Sequence, residues 1–199
     1  MIITPELPRH AAAIETLLDT AFGAGRQAKT AYRLRDGIEP IHELCLMALG
    51  HDDLGNEQLK GTIRYWPVSV GGAVPALLLG PIAVDPALQG SGLGSRLIRM
   101  TLNMAAAAGH QIVLLVGDAP YYERFGFTRD LTRDLQFPGP VDLNRFLGLE
   151  LTPGALRGVS GMVGRSDASG EMRAPMASVP PKALPADGLW LARPAYSLG

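Results

Sequence analysis

Two apolar runs bracket a glycine turn and a helix-like stretch, and together they constrain this chain more than anything else in it. The first run is residues 77–84 (LLLGPIAV), the turn has glycine at 90, 92 and 94, and the second run is residues 112–116 (IVLLV). Runs that are apolar at every position belong to strands buried on both faces, the usual state of parallel neighbours. A strand, a crossover helix and another such strand predict a parallel pair, and with it a layered α/β architecture. The first run also carries Gly80-Pro81 in its middle. Proline has no N–H to give to a ladder, so a bulge or a missing neighbour is predicted there. Where pairing on one side stops, the backbone of Ile82, Ala83 and Val84 becomes available to an extended ligand that carries amides.

The turn reads Gln89-Gly90-Ser91-Gly92-Leu93-Gly94 and is followed by Ser95. Successive N–H groups from Gly90 to Ser95, at the positive end of a helix, converge on an anion. Arg96 and Arg99 follow within two turns and add charge. Spacing excludes the two commonest nucleotide loops. A P-loop needs lysine after its last glycine, where this chain has Ser95, and the dinucleotide fingerprint G-x-G-x-x-G differs from the G-x-G-x-G found here. After the second run, Gly117 ends the strand. Asp118 then reads as the cap of a short helix over 119–125, with Pro120 in its first turn. This brings Tyr121 and Tyr122 to the C-terminal ends of the parallel strands, where open α/β sheets hold ligands.

The remaining chain is read more coarsely. Ile2 and Ile3 end a short strand, and Thr4-Pro5 reads as the start of a helix whose apolar face is Ile14, Leu17, Leu18, Ala21 and Phe22. Residues 27–36 have weak helical character. Residues 43–49 and 61–70 are strand-like and flank a polar turn, which predicts an antiparallel meander running into 76–84. Residues 131–137 and 147–151 are further strand candidates. One domain is expected over residues 1–162. The segment 163–199, rich in Pro, Gly and Ala, is expected to lack a core of its own, with Trp190, Leu191 and Tyr196 as docking residues.

At 199 residues with 47% hydrophobic and 19% charged residues, the composition is that of a soluble globular chain. A net charge of −1 argues against nucleic acid or an anionic membrane as partner, since such binding needs a basic surface. No apolar run approaches the ~20 residues of a membrane span, and no secretory signal is visible. The single cysteine, Cys45, has no disulfide partner within the chain and is expected as a reduced thiol, which suits a cytoplasmic location. No metal-ligand spacing is present.

Three segments resemble the GNAT superfamily of acyl-CoA-dependent N-acyltransferases, and within it the bacterial YhbS-type subgroup. Gln89-x-x-Gly92-x-Gly94 matches the family's coenzyme A loop. Leu79-Gly-Pro-Ile-Ala-Val resembles its ligand-bearing strand, and Tyr121-Tyr122-Glu-Arg-Phe-Gly126-Phe127 its late aromatic motif. The resemblance implies a mixed sheet with splayed central parallel strands flanked by helices. It implies an acetyl-CoA-dependent N-acetyltransferase acting on a small-molecule or protein amine, with a homodimer left open. The pantetheine arm would pair with Ile82, Ala83 and Val84, and the pyrophosphate would rest on Gln89, Gly90, Ser91, Gly92, Leu93, Gly94 and Ser95. An N–H near Ile82 or Ala83 would hold the oxyanion. Tyr122 stands where the family protonates the departing thiolate, and Tyr121 where it packs on the cofactor or the core. A non-catalytic acyl-CoA-binding or partner-binding domain of the same fold is the alternative. The strand 77–84 lacks the glutamate that many relatives carry as base, leaving Glu43, His42, His51, Asp118 and Glu123 as candidates.

Overall fold

A computed structural model describes residues 1–28, 30–52 and 54–166. Strands β1 (Ile2–Pro5), β2 (Leu46–His51), β3 (Glu57–Val70) and β4 (Val74–Val84) pair antiparallel in that order. Across helix α3 (Leu93–Ala107), β4 pairs in parallel with β5 (Ile112–Val116), and β5 takes β7 (Phe146–Glu150) antiparallel on its far side. The short β6 (Leu135–Gln136) pairs with β8 (Gly161–Arg165), which in turn joins the far end of β3. The helices are α1 (Ala11–Phe22), α2 (Thr30–Arg33), α3 and α4 (Ala119–Tyr122), the last continuing as a 3-10 turn, Glu123–Phe125. The sheet is thus mixed, mostly antiparallel, with the parallel pair β4–β5 at its centre and a short parallel pairing of β6 with β8 at its margin. The tail expected from residue 163 lies, from 167 onward, outside the described residues, as do Trp190, Leu191 and Tyr196.

The sheet has a filled layer on each face. On one, α3 sets Leu93, Leu97, Ile98, Leu102 and Ala105 against Leu46, Ile63, Leu77, Leu79, Val113 and Phe127. Side chains of that size contribute roughly 1.5–3 kcal/mol each when fully buried. The hydroxyls buried in this layer are satisfied, Tyr65 Oη lying 2.9 Å from Thr101 Oγ1, which also lies 2.8 Å from the Leu97 carbonyl. The opposite face is covered at one end by α1 through Ile14, Leu17 and Leu18 against Ala83. At the other end it is covered by Leu34, Leu135, Phe137, Phe146 and Leu156.

Gly80-Pro81 acts as its chemistry requires. Ile63 faces Ile82 and Tyr65 faces Leu79, so two steps on β3 match three on β4. That extra residue is a bulge, and it reverses which face the later side chains occupy. Gly80 accommodates it with φ +118°, a conformation closed to residues with a Cβ. The β4–β5 ladder pairs Leu77 with Val113 and Leu78 with Leu114 and goes no further. Beyond Leu78 the two strands diverge.

Three local expectations are corrected. Thr4 and Pro5 continue β1 and pair with Met47 and Leu46; they do not open a helix. β1 lies at the sheet's edge, where a proline costs no ladder bond, and α1 begins only at Ala11 after a 3-10 turn at Pro8–His10. Residues 131–137 hold only the two-residue β6, because Thr132 turns inward and donates to the Phe146 carbonyl at 2.7 Å. On α1, Phe22 and Ala21 prove exposed.

Candidate functional site

The diverging strands open onto two connected hollows. The smaller, about 540 Å³, is lined by Gln89, Gly90, Gly92, Leu93, Gly94, Ser95, Arg99 and Arg124, with Val84, Leu88 and Tyr121. Its backbone is set by Asp85, whose carboxylate accepts from Ala87 N at 3.0 Å and from Lys60 Nζ at 2.9 Å. Gly92 occupies the N-cap of α3 with φ +84°, and open space lies where its Cβ would be. The N–H groups of Gly94 and Ser95 fall in the first helical turn, which has no intrahelical acceptors, so they present donors to an anion. Leu93 itself is buried in the core, so only its backbone faces the hollow. Ser91 is exposed and outside it; its Oγ accepts from Leu93 N at 3.4 Å.

The charge at this hollow differs from the sequence reading in two respects. Arg99 lines it and Arg96 does not. Arg124 was not anticipated. It donates to Ser95 Oγ and its guanidinium lies 4.4 Å from the centre of the Tyr121 ring. The only sequence signal is its place beside the tyrosine pair, 29 residues from Ser95.

The Lys60 hydrogen bond, and then the Ala87 N–H, hold the Asp85 carboxyl below the usual carboxylate range. A folded-state pKa below the unfolded one gives stability that is complete above about pH 4 and lost as pH falls. Asp85→Asn should therefore cost about 1 kcal/mol at pH 7. In urea titrations across pH, its deficit should shrink towards zero below pH 4.

The larger hollow, about 800 Å³, reaches from this turn along β4. Ile82 and Val84 line it together with Gly94, Tyr121 and Tyr122, while Ala83 points the other way against α1. Tyr121 stands at the junction of the two hollows, its Oη 3.0 Å from where a Cβ on Gly94 would sit. The Tyr122 ring is deeper, packed edge-on to Tyr121 and Phe127 at 5.0 and 5.9 Å. Burial raises its hydroxyl well above the ordinary tyrosine value, so it stays protonated at neutral pH. Asp118 precedes α4, but its side chain makes no cap bond; its carbonyl accepts from Tyr121 N and Tyr122 N.

Of the candidate bases, Asp118 lines the larger hollow and is the one carboxylate among its described lining residues. His42 is exposed beside Glu39, and Glu43 and His51 are also exposed; none of the three, nor Glu123, lines either hollow. Cys45 is buried, its thiol donating to the Ile41 carbonyl at 3.3 Å, and burial pushes it up to about 11. A thiol in that state is not a nucleophile.

The far wall of the larger hollow comes from residues 22–35 and 137–145. Arg26 anchors it: Nε donates to Asp19 at 2.7 Å, Nη1 to Tyr32 Oη at 2.8 Å, and Nη2 to Glu15. Glu15 also accepts from Arg64 Nη1 at 3.0 Å, and Arg64 in turn is held by Glu6. Thr30 Oγ1 donates to the Pro140 carbonyl at 2.7 Å and ties the two wall segments together. Arg35, Arg33 and Arg145 also face this end.

Comparison with known proteins agrees with this geometry. Residues 9–129 match the family model described as an acetyltransferase (GNAT) domain. The chain is 33% identical over 165 residues to the uncharacterized N-acetyltransferase YhbS of Escherichia coli strain K12, covering 82% of this chain and 95% of the relative. It is also similar to the crystal structure of Escherichia coli YhbS in complex with CoA, with a TM-score of 0.69 at 32% identity over 83% of this chain and 89% of the other. A GNAT family acetyltransferase from Brucella melitensis in complex with acetyl-CoA gives a TM-score of 0.57 at 29% identity, over 83% and 95%. With more than half of the chain inside the family model and a relative matched over nearly its full length, the chain belongs to the GNAT acetyltransferase family.

Proposed function

We propose that this protein transfers the acetyl group of acetyl-CoA to a primary amine by direct attack. The observation that carries the reading is the unpaired edge of β4 beyond Leu78, which runs beside the glycine turn and shares a hollow with Tyr122. The CoA and acetyl-CoA held by the two similar crystal structures support the choice of ligand. The residues present suit that ligand. A free strand edge can pair with the pantetheine amides. The α3 N-terminus with Arg99 and Arg124 suits the phosphates.

In this reading the strand N–H near Ile82 or Ala83 polarises the thioester carbonyl, and such a donor is worth about 3 kcal/mol at the developing oxyanion. The neutral amine attacks the carbonyl carbon, the C–N bond forms, and the C–S bond breaks as the tetrahedral adduct collapses. Tyr122 gives its proton to the departing sulfur. The desolvation that keeps Tyr122 protonated also raises the thiol's own pKa, so the leaving sulfur needs that proton. The proton lost by the amine passes to Asp118 directly or through water.

The test is acetyl transfer from acetyl-CoA to a broad amine panel, read by mass spectrometry alongside thermal shifts with acetyl-CoA, ATP and NAD. Stabilisation by acetyl-CoA alone with an N-acetylated product is expected. No preference among the three ligands would sink the proposal. Binding without any product would favour a non-catalytic acyl-CoA-binding domain.

A further inference from the structure

The acceptor end of the larger hollow carries more positive charge than its own acids neutralise. Arg26, Arg33, Arg35 and Arg145 line it, against the single carboxylate of Asp118 among the described lining residues. Arg26 is matched by Glu15 and Asp19, and Arg64 outside the hollow by Glu6 and Glu15, so the neighbouring acids are already committed. Arg35 has no carboxylate partner among the described residues. Its Nε is fully enclosed and without a hydrogen-bond partner. Its guanidinium lies 4.6 Å from the centre of the Tyr32 ring, and Nη2 comes within 3.3 Å of where a Cβ on Gly80 would sit. A largely enclosed cation that rests on Tyr32 and has no carboxylate partner among the described residues is costly to hold. This one is held at the β4 bulge, where the unpaired edge begins.

We propose that the acceptor is an amine that also carries a carboxylate, an amino acid or a close relative. Its carboxylate pairs with Arg35, Arg33 and Arg145 add positive field, and its amino group lies towards Asp118 and Tyr122. A planar carboxylate matches the fork of a single guanidinium, which gives short, charge-assisted, two-pronged bonding. A phosphate has more charge and more acceptor oxygens than one guanidinium fork satisfies. Burial pulls Arg35 down to about 10, so it remains charged at neutral pH. The substrate class rests on the acetyl-transfer reading; the carboxylate site itself does not.

The experiment compares matched acceptors with the wild-type protein and saturating acetyl-CoA: lysine with cadaverine, arginine with agmatine, tyrosine with tyramine, and phosphoethanolamine with ethanolamine. The carboxylate member of at least one pair should be favoured about a hundredfold in kcat/KM, the scale of one charged hydrogen-bonded contact. Arg35→Met should collapse that preference to within a few-fold while leaving Tm unchanged or higher, since a largely enclosed charge without a carboxylate partner is removed and the methionine side chain can still pack on Tyr32. A merely structural arginine would lower Tm and reduce both members alike. Equal use of both members overturns the inference and leaves the transferase standing. Preference for phosphoethanolamine reassigns the site to phosphate and also overturns it. A turnover-free arm covers an inactive protein: calorimetric binding of N-acetyl amino acids and their amides in the presence of CoA. Tenfold or greater preference for the acids, lost in Arg35→Met, upholds the carboxylate site even if no acetyl transfer occurs. Failure to bind the acids better than the amides overturns it.

Discussion

Tyr122→Phe should lower kcat about a thousandfold while the Kd for acetyl-CoA changes less than threefold. The size follows from removing a proton donor, for which losses of about 10²–10⁴ are usual. The separation follows from where the side chain sits. Tyr122 lines the larger hollow only, whereas the glycine turn, Arg99 and Arg124 line the smaller one. Its ring packs on Phe127 and Tyr121, contacts that phenylalanine keeps, so stability should hold. Tyr121→Phe is the informative comparison. Its hydroxyl faces Gly94 at the junction of the hollows, so its loss should act on acetyl-CoA binding more than on kcat. Rates are read from thiol release, and Kd by calorimetry. If Tyr122→Phe retains wild-type kcat, Tyr122 has no place in the chemistry.

Gly92→Asp should raise the Kd for acetyl-CoA at least a hundredfold, and comparison with Gly92→Ala shows why. Both place a Cβ at φ +84°, a strain of roughly 1–2 kcal/mol. In neither does the added Cβ meet the protein, because nothing lies within 4 Å of it. Alanine therefore reports strain alone and should change Kd less than tenfold. Aspartate adds a negative charge at the mouth of the proposed anion site. Two unit charges about 4 Å apart repel by roughly 4 kcal/mol at an intermediate dielectric, and solvent at this exposed turn reduces that to a few. The aspartate effect should weaken with added salt, as screening requires. Equal Kd values for the two variants would mean that no phosphate approaches this turn.

The part of the candidate site built from the β4 edge, the glycine turn and α4 was legible because it is local. Gly80-Pro81, the glycines at 90, 92 and 94 and Tyr121-Tyr122 lie within one 43-residue stretch, and each has a backbone meaning that holds regardless of the rest of the fold. Thr4-Pro5 misled for the opposite reason. A threonine ahead of a proline is a good helix start in isolation, and only the pairing with Leu46 and Met47 shows that it continues an edge strand. The part proposed to hold the acceptor could not be read because its meaning is relational. Arg26 and Arg35 lie nine residues apart and look alike in sequence. One is tied to Glu15 and Asp19 and the other has no carboxylate partner among the described residues, which follows only from how α1 lies against the following segment. Arg124 is a further instance, since its role depends on reaching Ser95 across the turn.

The anchoring of the far wall has an evolutionary consequence. The sheet supplies the face proposed for the cofactor, but the opposite face is built from two connecting segments fastened by Arg26, Tyr32 and the Thr30–Pro140 bond. Apart from Leu34 and Phe137, which fill the core, such a wall can be rewritten residue by residue without disturbing a ladder. Descendants of one acetyl-donor apparatus can therefore diverge in what they modify while the donor apparatus stays the same. In this chain the record of that divergence is to be sought at residues 22–36 and 137–145.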